Sequence, residues 1–241
     1  MKKRILFVLC VVLIMAGAYM VLKEEKIEKQ EIVPVSATVD KPQNDGPKVA
    51  ITFDDGPSTL YTEKLLDGLK ERGVHATFFL VGERIQYDTK LVERMYKEGH
   101  EIGNHTYTHT DLAKTNYDKA RKEINDTNKE ISDVTGVIPK FIRPPYGDWN
   151  EKLLEETEMS VVLWSVDPED WKEQNAEIVA QRVIKSTGPG DIILLHDIFE
   201  SSVEAAFKII DKLQSKGYEF VTVDEIDSTR IISKSTYQNK K

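Results

Sequence analysis

The sequence predicts an α/β fold with a parallel sheet and its helices outside. Three observations carry that expectation. Short apolar runs alternate with amphipathic stretches about seven times along the chain. Glycines stand where several of the amphipathic stretches have to stop. Ionisable residues recur at the ends of the apolar runs, and that edge is where ligands bind in barrels and in open α/β sheets alike. The pattern alone leaves a closed barrel and a doubly wound sheet both open.

Taken in order, a strand at 49–53 precedes a helix at 59–72, capped by Gly73. A strand at 76–81 precedes a helix at 89–98, ended by Gly99. Residues 100–103 precede a helix at 117–134, closed by Gly136. Residues 141–143 precede a helix at 151–156, 161–166 precede one at 176–187, and 191–195 precede one at 203–214 with Gly217 behind it. A last strand covers 220–223. No internal repeat is present.

The chain opens with Met1-Lys2-Lys3-Arg4, followed by an uncharged apolar run at 5–22. A basic start and such a run mark a signal peptide or a signal-anchor transmembrane segment, and a bilayer needs roughly 17–25 residues. Ala16-Gly17-Ala18 offers a cleavage site. The apolar run continues past it to Leu22, which favours a retained anchor. The basic residues put the start in the cytoplasm and everything after Leu22 outside. Residues 23–46 read as an extracytoplasmic linker, 47–227 as the catalytic domain, and 228–241 as a polar tail expected to fray. A net charge of −8 over 241 residues speaks against a nucleic-acid partner. Cys10 is the single cysteine and lies in the apolar start. The domain therefore holds no disulfide and no thiolate metal site.

Asp54 and Asp55 follow the first strand and precede Gly56-Pro57. A strand and a turn account for such a stretch on their own. Yet adjacent carboxylates repel, and each raises the other's pKa unless a cation or fixed donor stands nearby. His105 and His109 lie four apart after the third strand. On a helical turn that spacing puts both imidazoles on one face. Two histidines and one carboxylate form a common catalytic zinc set. One aspartate then ligates while the other works on water. Arg143 sits in a stiff loop, Phe141-Ile-Arg-Pro-Pro-Tyr-Gly-Asp-Trp149, where it either lies on the surface or pairs with one of the aspartates. The same loop is able to aim a backbone N–H into the site. His196, after an apolar strand, is either a core histidine or a general acid. Asp167 ends another strand. Trp171, Trp164 and Trp149 read as core as readily as cleft. His75 and His100 are taken as structural.

With these residues assembled, the chain resembles the polysaccharide deacetylases, the family-four carbohydrate esterases with a NodB-homology domain. The motifs TFDDGP, HTYTH, RPPYG, DPEDW and LLHD occur in order. The resemblance implies a distorted (β/α)7-type barrel and a divalent metal, zinc first and cobalt as the alternative. It implies Asp55, His105 and His109 as metal ligands, Asp54 as catalytic base, and Arg143 as the residue holding Asp54. It implies the Tyr146 N–H in an oxyanion hole, His196 as general acid with Asp167 tuning it, and Trp171 and Leu194 around the acetyl methyl. An exported enzyme of this kind is expected to be a monomer acting on a polysaccharide. Peptidoglycan N-acetylglucosamine is the first expectation, then chitooligosaccharide, then O-acetylated xylan. An Asp-nucleophile phosphatase needs a spaced D-x-D and no His pair. An iron oxygenase shares the ligand set but with a different motif order on an all-β chain. A catalytically dead envelope-binding module calls for lost motif residues, and none is lost.

Overall fold

The computed structural model of the protein describes residues 46–149, 153, 157–227 and 229–232. The apolar start, the linker, most of the helix expected at 151–156 and the end of the tail lie outside these residues. No helix among the described residues is long and apolar enough to cross a membrane.

β1 (Lys48–Asp54) is buried from Val49 onward. A strand covered on both faces has to be apolar along its length, as residues 49–53 are. It pairs in parallel with β6 (Ile192–His196) along one edge. The other edge is shared, with β7 (Glu219–Val221) on its first half and β2 (Thr77–Leu80) on its second. From β2 the sheet continues in parallel through β3 (Glu101–Asn104), β4 (Phe141–Ile142) and β5 (Ser160–Val162). Beyond β5, Val166 makes one parallel bridge to Ile193 of β6. The two ends of the strand order meet there. The architecture is an α/β half-barrel, joined at that side by a bridge rather than a ladder.

Of the tail expected to fray from 228, residues 228 and 233–241 lie outside the described residues, and part of the rest is ordered. Ile231 and Ile232 form β8, antiparallel to β5, with Val161 opposite Ile232. Two adjacent β-branched residues suit a strand, and the outer edge of β5 offers unpaired backbone groups.

Around the sheet lie α1 (Thr62–Glu71), α2 (Gly82–Ile85), α3 (Thr89–Lys97), α4 (Tyr117–Thr135), α5 (Asp170–Glu173), α6 (Ala176–Ser186) and α7 (Glu200–Ser215). α7 buries Val203, Ala206, Ile210 and Leu213, a stripe at three- and four-residue spacing. It starts ahead of the expected 203 because Glu200-Ser201-Ser202 carries no apolar signal. Asn116 caps α4 by accepting from Lys119 N–H at 2.9 Å, and Gly136, at φ 77°, ends it. The rings of Phe53 and Phe78 stack at 5.4 Å in the main core, against Leu65, Leu66 and Leu69 of α1 and Ile209 and Leu213 of α7. Each such fully buried side chain contributes roughly 1.5–3 kcal/mol. This packing holds the carboxyl ends of the strands rigid, and those ends carry the site.

Candidate metal centre and active site

Strand register assembles the site. In the β1–β6 pair, Asp54 stands opposite His196 and Thr52 opposite Leu194. β3 ends at Asn104, registered with Ile142 of β4, so His105 and Arg143 leave neighbouring strands side by side.

Asp55, His105 and His109 each aim a ligand atom at one point, all within 4.8 Å of one another. Asp55 Oδ1 lies 3.4 Å from His105 Nε2 and 3.3 Å from His109 Nε2. His105 Nδ1 is 2.6 Å from the carbonyl oxygen of Arg143. A carbonyl only accepts, so Nδ1 carries the proton and Nε2 is turned toward Asp55. Nε2 and the carboxylate oxygen facing each other are a donor pair suited to a shared cation. Asp55 Oδ1 is buried and has no hydrogen-bond partner. Burial disfavours charge on Asp55, but the imidazoles of His105, His109 and His196 outweigh it and hold its carboxyl below the usual carboxylate range. Burial, then His105, lowers the pKa of His109 and favours the neutral form that ligates. Donor types, orphaned oxygen and tautomer all fit a divalent cation of the zinc kind.

The helical turn expected for the histidine pair is not what forms. Residues 105–110 are a loop with Thr106 at φ 64° and His109 at φ 57°. Left-handed non-glycine residues persist only where surrounding contacts impose them. Asn104 Oδ1 accepts from Thr106 N–H at 2.7 Å, and Thr106 O and Tyr107 O accept from the first N–H groups of α2. Glu123, buried on α4, accepts from Thr108 N–H at 2.7 Å and from its hydroxyl at 2.9 Å.

Arg143 is fully buried. Its Nη1 donates to Asp54 Oδ1 and to Thr52 Oγ1, both at 2.7 Å, and its Nε donates to Val162 O at 3.1 Å. The guanidinium lies 4.2 Å above the Phe79 ring. Asp54 Oδ2 is left facing the metal side, 3.8 Å from His105 Nε2.

Asp167 does not reach His196, which corrects that expectation. Asp167 is exposed, and its Oδ1 accepts from Glu169 N–H at 2.8 Å in the turn before α5. The partner is Asp170, fully buried at the start of α5. Its Oδ1 is 2.8 Å from His196 Nδ1, and its Oδ2 accepts from His196 N–H at 2.9 Å and Ser202 Oγ at 2.5 Å. The turn at Pro168 points Asp167 outward and brings Asp170 back to His196. Burial opposes charge on His196, yet the hydrogen bond and charge of Asp170, with Asp54 and Asp55, push its pKa up to about 9. With Nδ1 engaged, Nε2 faces the site.

The Tyr146 ring packs edge-on to His109 at 5.1 Å, and its backbone is left-handed at φ 63°. Trp171 follows Asp170 on α5, half exposed. Leu194 is buried in β6, two residues before His196 and so on the same face of the strand. Sequence reasoning missed Asp170, Glu123, Asn104, Asp197 and Arg84, whose Nη1 donates to Asp55 O at 2.7 Å. Asp170 and Asp197 lie inside stretches already singled out, DPEDW and LLHD; the others carried no signal.

Fold and donor set together define a class: an α/β half-barrel with a metal centre of two histidines and one carboxylate, open toward solvent at the strand ends. Comparison with known proteins narrows the class. The profile of the Polysaccharide deacetylase family matches residues 41–160. A peptidoglycan-N-acetylglucosamine deacetylase of Bacillus cereus is 44% identical over 189 residues, 76% of this chain and 69% of that one. The chain belongs to the polysaccharide deacetylase family. It is also 43% identical over 211 residues to the peptidoglycan-N-acetylmuramic acid deacetylase PdaC of Bacillus subtilis, covering 87% of this chain and 44% of PdaC. The chain thus spans less than half the length of that relative. The solved PdaC structure superposes with a TM-score of 0.74 at 41% identity, covering 82% of this chain and 94% of the solved one. A family 4 acetyl xylan esterase from Clostridium thermocellum, solved with a cobalt ion, superposes with a TM-score of 0.70 at 40% identity, covering 74% and 89%.

Proposed function

We propose that the protein is a metal-dependent deacetylase that hydrolyses the acetamide of N-acetylglucosamine in peptidoglycan, leaving a free amine and acetate. The distorted (β/α)7-type barrel serves as scaffold, and Asp55, His105 and His109 hold zinc, with cobalt as a working substitute. A bound divalent cation supplies Lewis-acid polarisation of the acetamide carbonyl and of water.

The observation that carries the reading is the register of Asp54 opposite His196, at strand ends beside the donor set. Arg143 holds Oδ1 of Asp54 and leaves Oδ2 toward the site, where it takes a proton from the attacking water. The Tyr146 N–H donates to the oxygen as negative charge develops on it. His196, held protonated by Asp170, donates from Nε2 to the departing nitrogen, so the C–N bond breaks with a neutral amine leaving. Leu194 and Trp171 border the acetyl methyl. The apolar start and the peptidoglycan deacetylases among the relatives support action outside the cytoplasm, anchored at the membrane; we take the enzyme to act as a monomer. The similarity to PdaC, a peptidoglycan-N-acetylmuramic acid deacetylase, favours a second reading, N-acetylmuramic acid at the same site.

The test is acetate release from purified peptidoglycan, chitotetraose and acetylxylan, with mass spectrometry of the glycan products. Deacetylated glucosamine in muropeptides is expected. Deacetylated muramic acid alone, or acetate from xylan alone, would replace the substrate assignment.

A further inference from the structure

Asp197 is fully buried, and neither the metal set nor the proton transfers use it. Its Oδ2 accepts the hydroxyl of Thr62, itself fully buried at the start of α1. Thr62 Oγ1 in turn accepts from Ser58 N–H at 2.8 Å, and Thr62 N–H donates to Ser58 O at 3.1 Å. A threonine hydroxyl has one proton to give, so the chain has a direction: Ser58 N–H to Thr62, then Thr62 O–H to Asp197. The carboxylate also lies against the bare Cα of Gly56. A Cβ there would sit 2.5 Å from both Asp197 oxygens. Asp197 Oδ1 has no other partner.

The segment held in this way is residues 55–58, which begins with the metal ligand Asp55 at φ 72°. That conformation is sparsely populated for aspartate and persists only where the surroundings over-determine it. Two holds come from the β2 side: Val81 N–H donates to Gly56 O at 3.0 Å and Arg84 to Asp55 O. The remaining hold is the Asp197–Thr62 chain, anchored at the end of β6. We propose that Asp197 is a positioning residue for the metal ligand Asp55, acting through Thr62 and through its contact with Gly56. This rests on the metal reading of Asp55, His105 and His109. It also ties the strand end that carries His196 to the turn that carries the ligand.

The test measures zinc affinity of the full-length chain by chelator competition, independently of any substrate. Thr62→Val keeps the shape and removes the donated proton. Its zinc affinity is expected to fall about ten- to a hundred-fold, the usual effect of losing a group that orients a ligand. Thr62→Ser, which retains the hydroxyl, should stay within about two-fold of the parent on the same reasoning. Asp197→Asn should weaken zinc in the same direction as Thr62→Val. Should Asp197→Asn fail to fold, the Thr62 pair still decides. Thr62→Val with lowered thermal stability but parental zinc affinity overturns the proposal, as does Thr62→Ser weakened as far as Thr62→Val. A parent chain that takes up no zinc overturns the metal reading as well.

Discussion

Asp54 and Asp55 are neighbours in sequence with opposite surroundings. Asp54 is buried against the guanidinium of Arg143, while Asp55 turns through a left-handed residue toward two imidazoles. Each carboxylate thus has its own partner, a guanidinium for Asp54 and a histidine pair for Asp55. Asp54→Asn should therefore retain zinc and lose about 10²–10⁴-fold in kcat/KM, since an amide accepts no proton from water. Elemental analysis beside steady-state kinetics separates these two effects. At the other flank the sign of the pH dependence follows from Asp170. Its carboxylate raises the His196 pKa to about 9, so the acid stays protonated below that value and kcat/KM falls as pH rises through it. Asp170→Asn removes the anion, and the alkaline limb should move to lower pH by about one unit or more. Asp167→Asn should leave the limb in place. An unmoved limb in Asp170→Asn, at constant metal content, would show that another group sets it.

The elements carry these residues in ways of unequal visibility in the sequence. Strand ends were legible, because a buried parallel strand writes an apolar run and its first ionisable residue marks the edge. Asp54, Asp55, Arg143 and His196 were found on that signal, and the structure brings them together. The histidine loop was misread as helical because a four-residue spacing suits a helix, while backbone conformation at Thr106 and His109 is imposed from elsewhere. The agents are Asn104, Glu123 and the start of α2, distant in sequence and marked by no spacing rule. The resemblance assigns Asp167 to His196 and leaves Asp170 unconsidered; the reversal at Pro168 that brings Asp170 to His196 is a three-dimensional fact. The loop's dependence on α4 is open to measurement. Glu123→Gln places an NH₂ group against one of the two Thr108 donors, leaving a buried donor unmatched. It should cost about 1–3 kcal/mol of stability and weaken zinc roughly ten-fold. Unchanged zinc affinity would show that the loop holds its own shape.

At the scale of the whole molecule, the half-barrel acts as a frame that sets Asp54 and Asp55 at the end of β1, His105 and His109 after β3, and His196 at the end of β6. Position on each strand is fixed by register and by the apolar packing beneath it. The account predicts one zinc per chain and acetate release that depends on it. The most direct measurement is acetate release from muropeptides by protein stripped with a chelator, with metal content followed by elemental analysis, before and after addition of zinc or cobalt. Activity should disappear with the metal and return on its addition in the parent, and should return far less in His105→Ala, which lacks one of three protein ligands. Undiminished acetate release from protein shown to be free of metal would contradict the account.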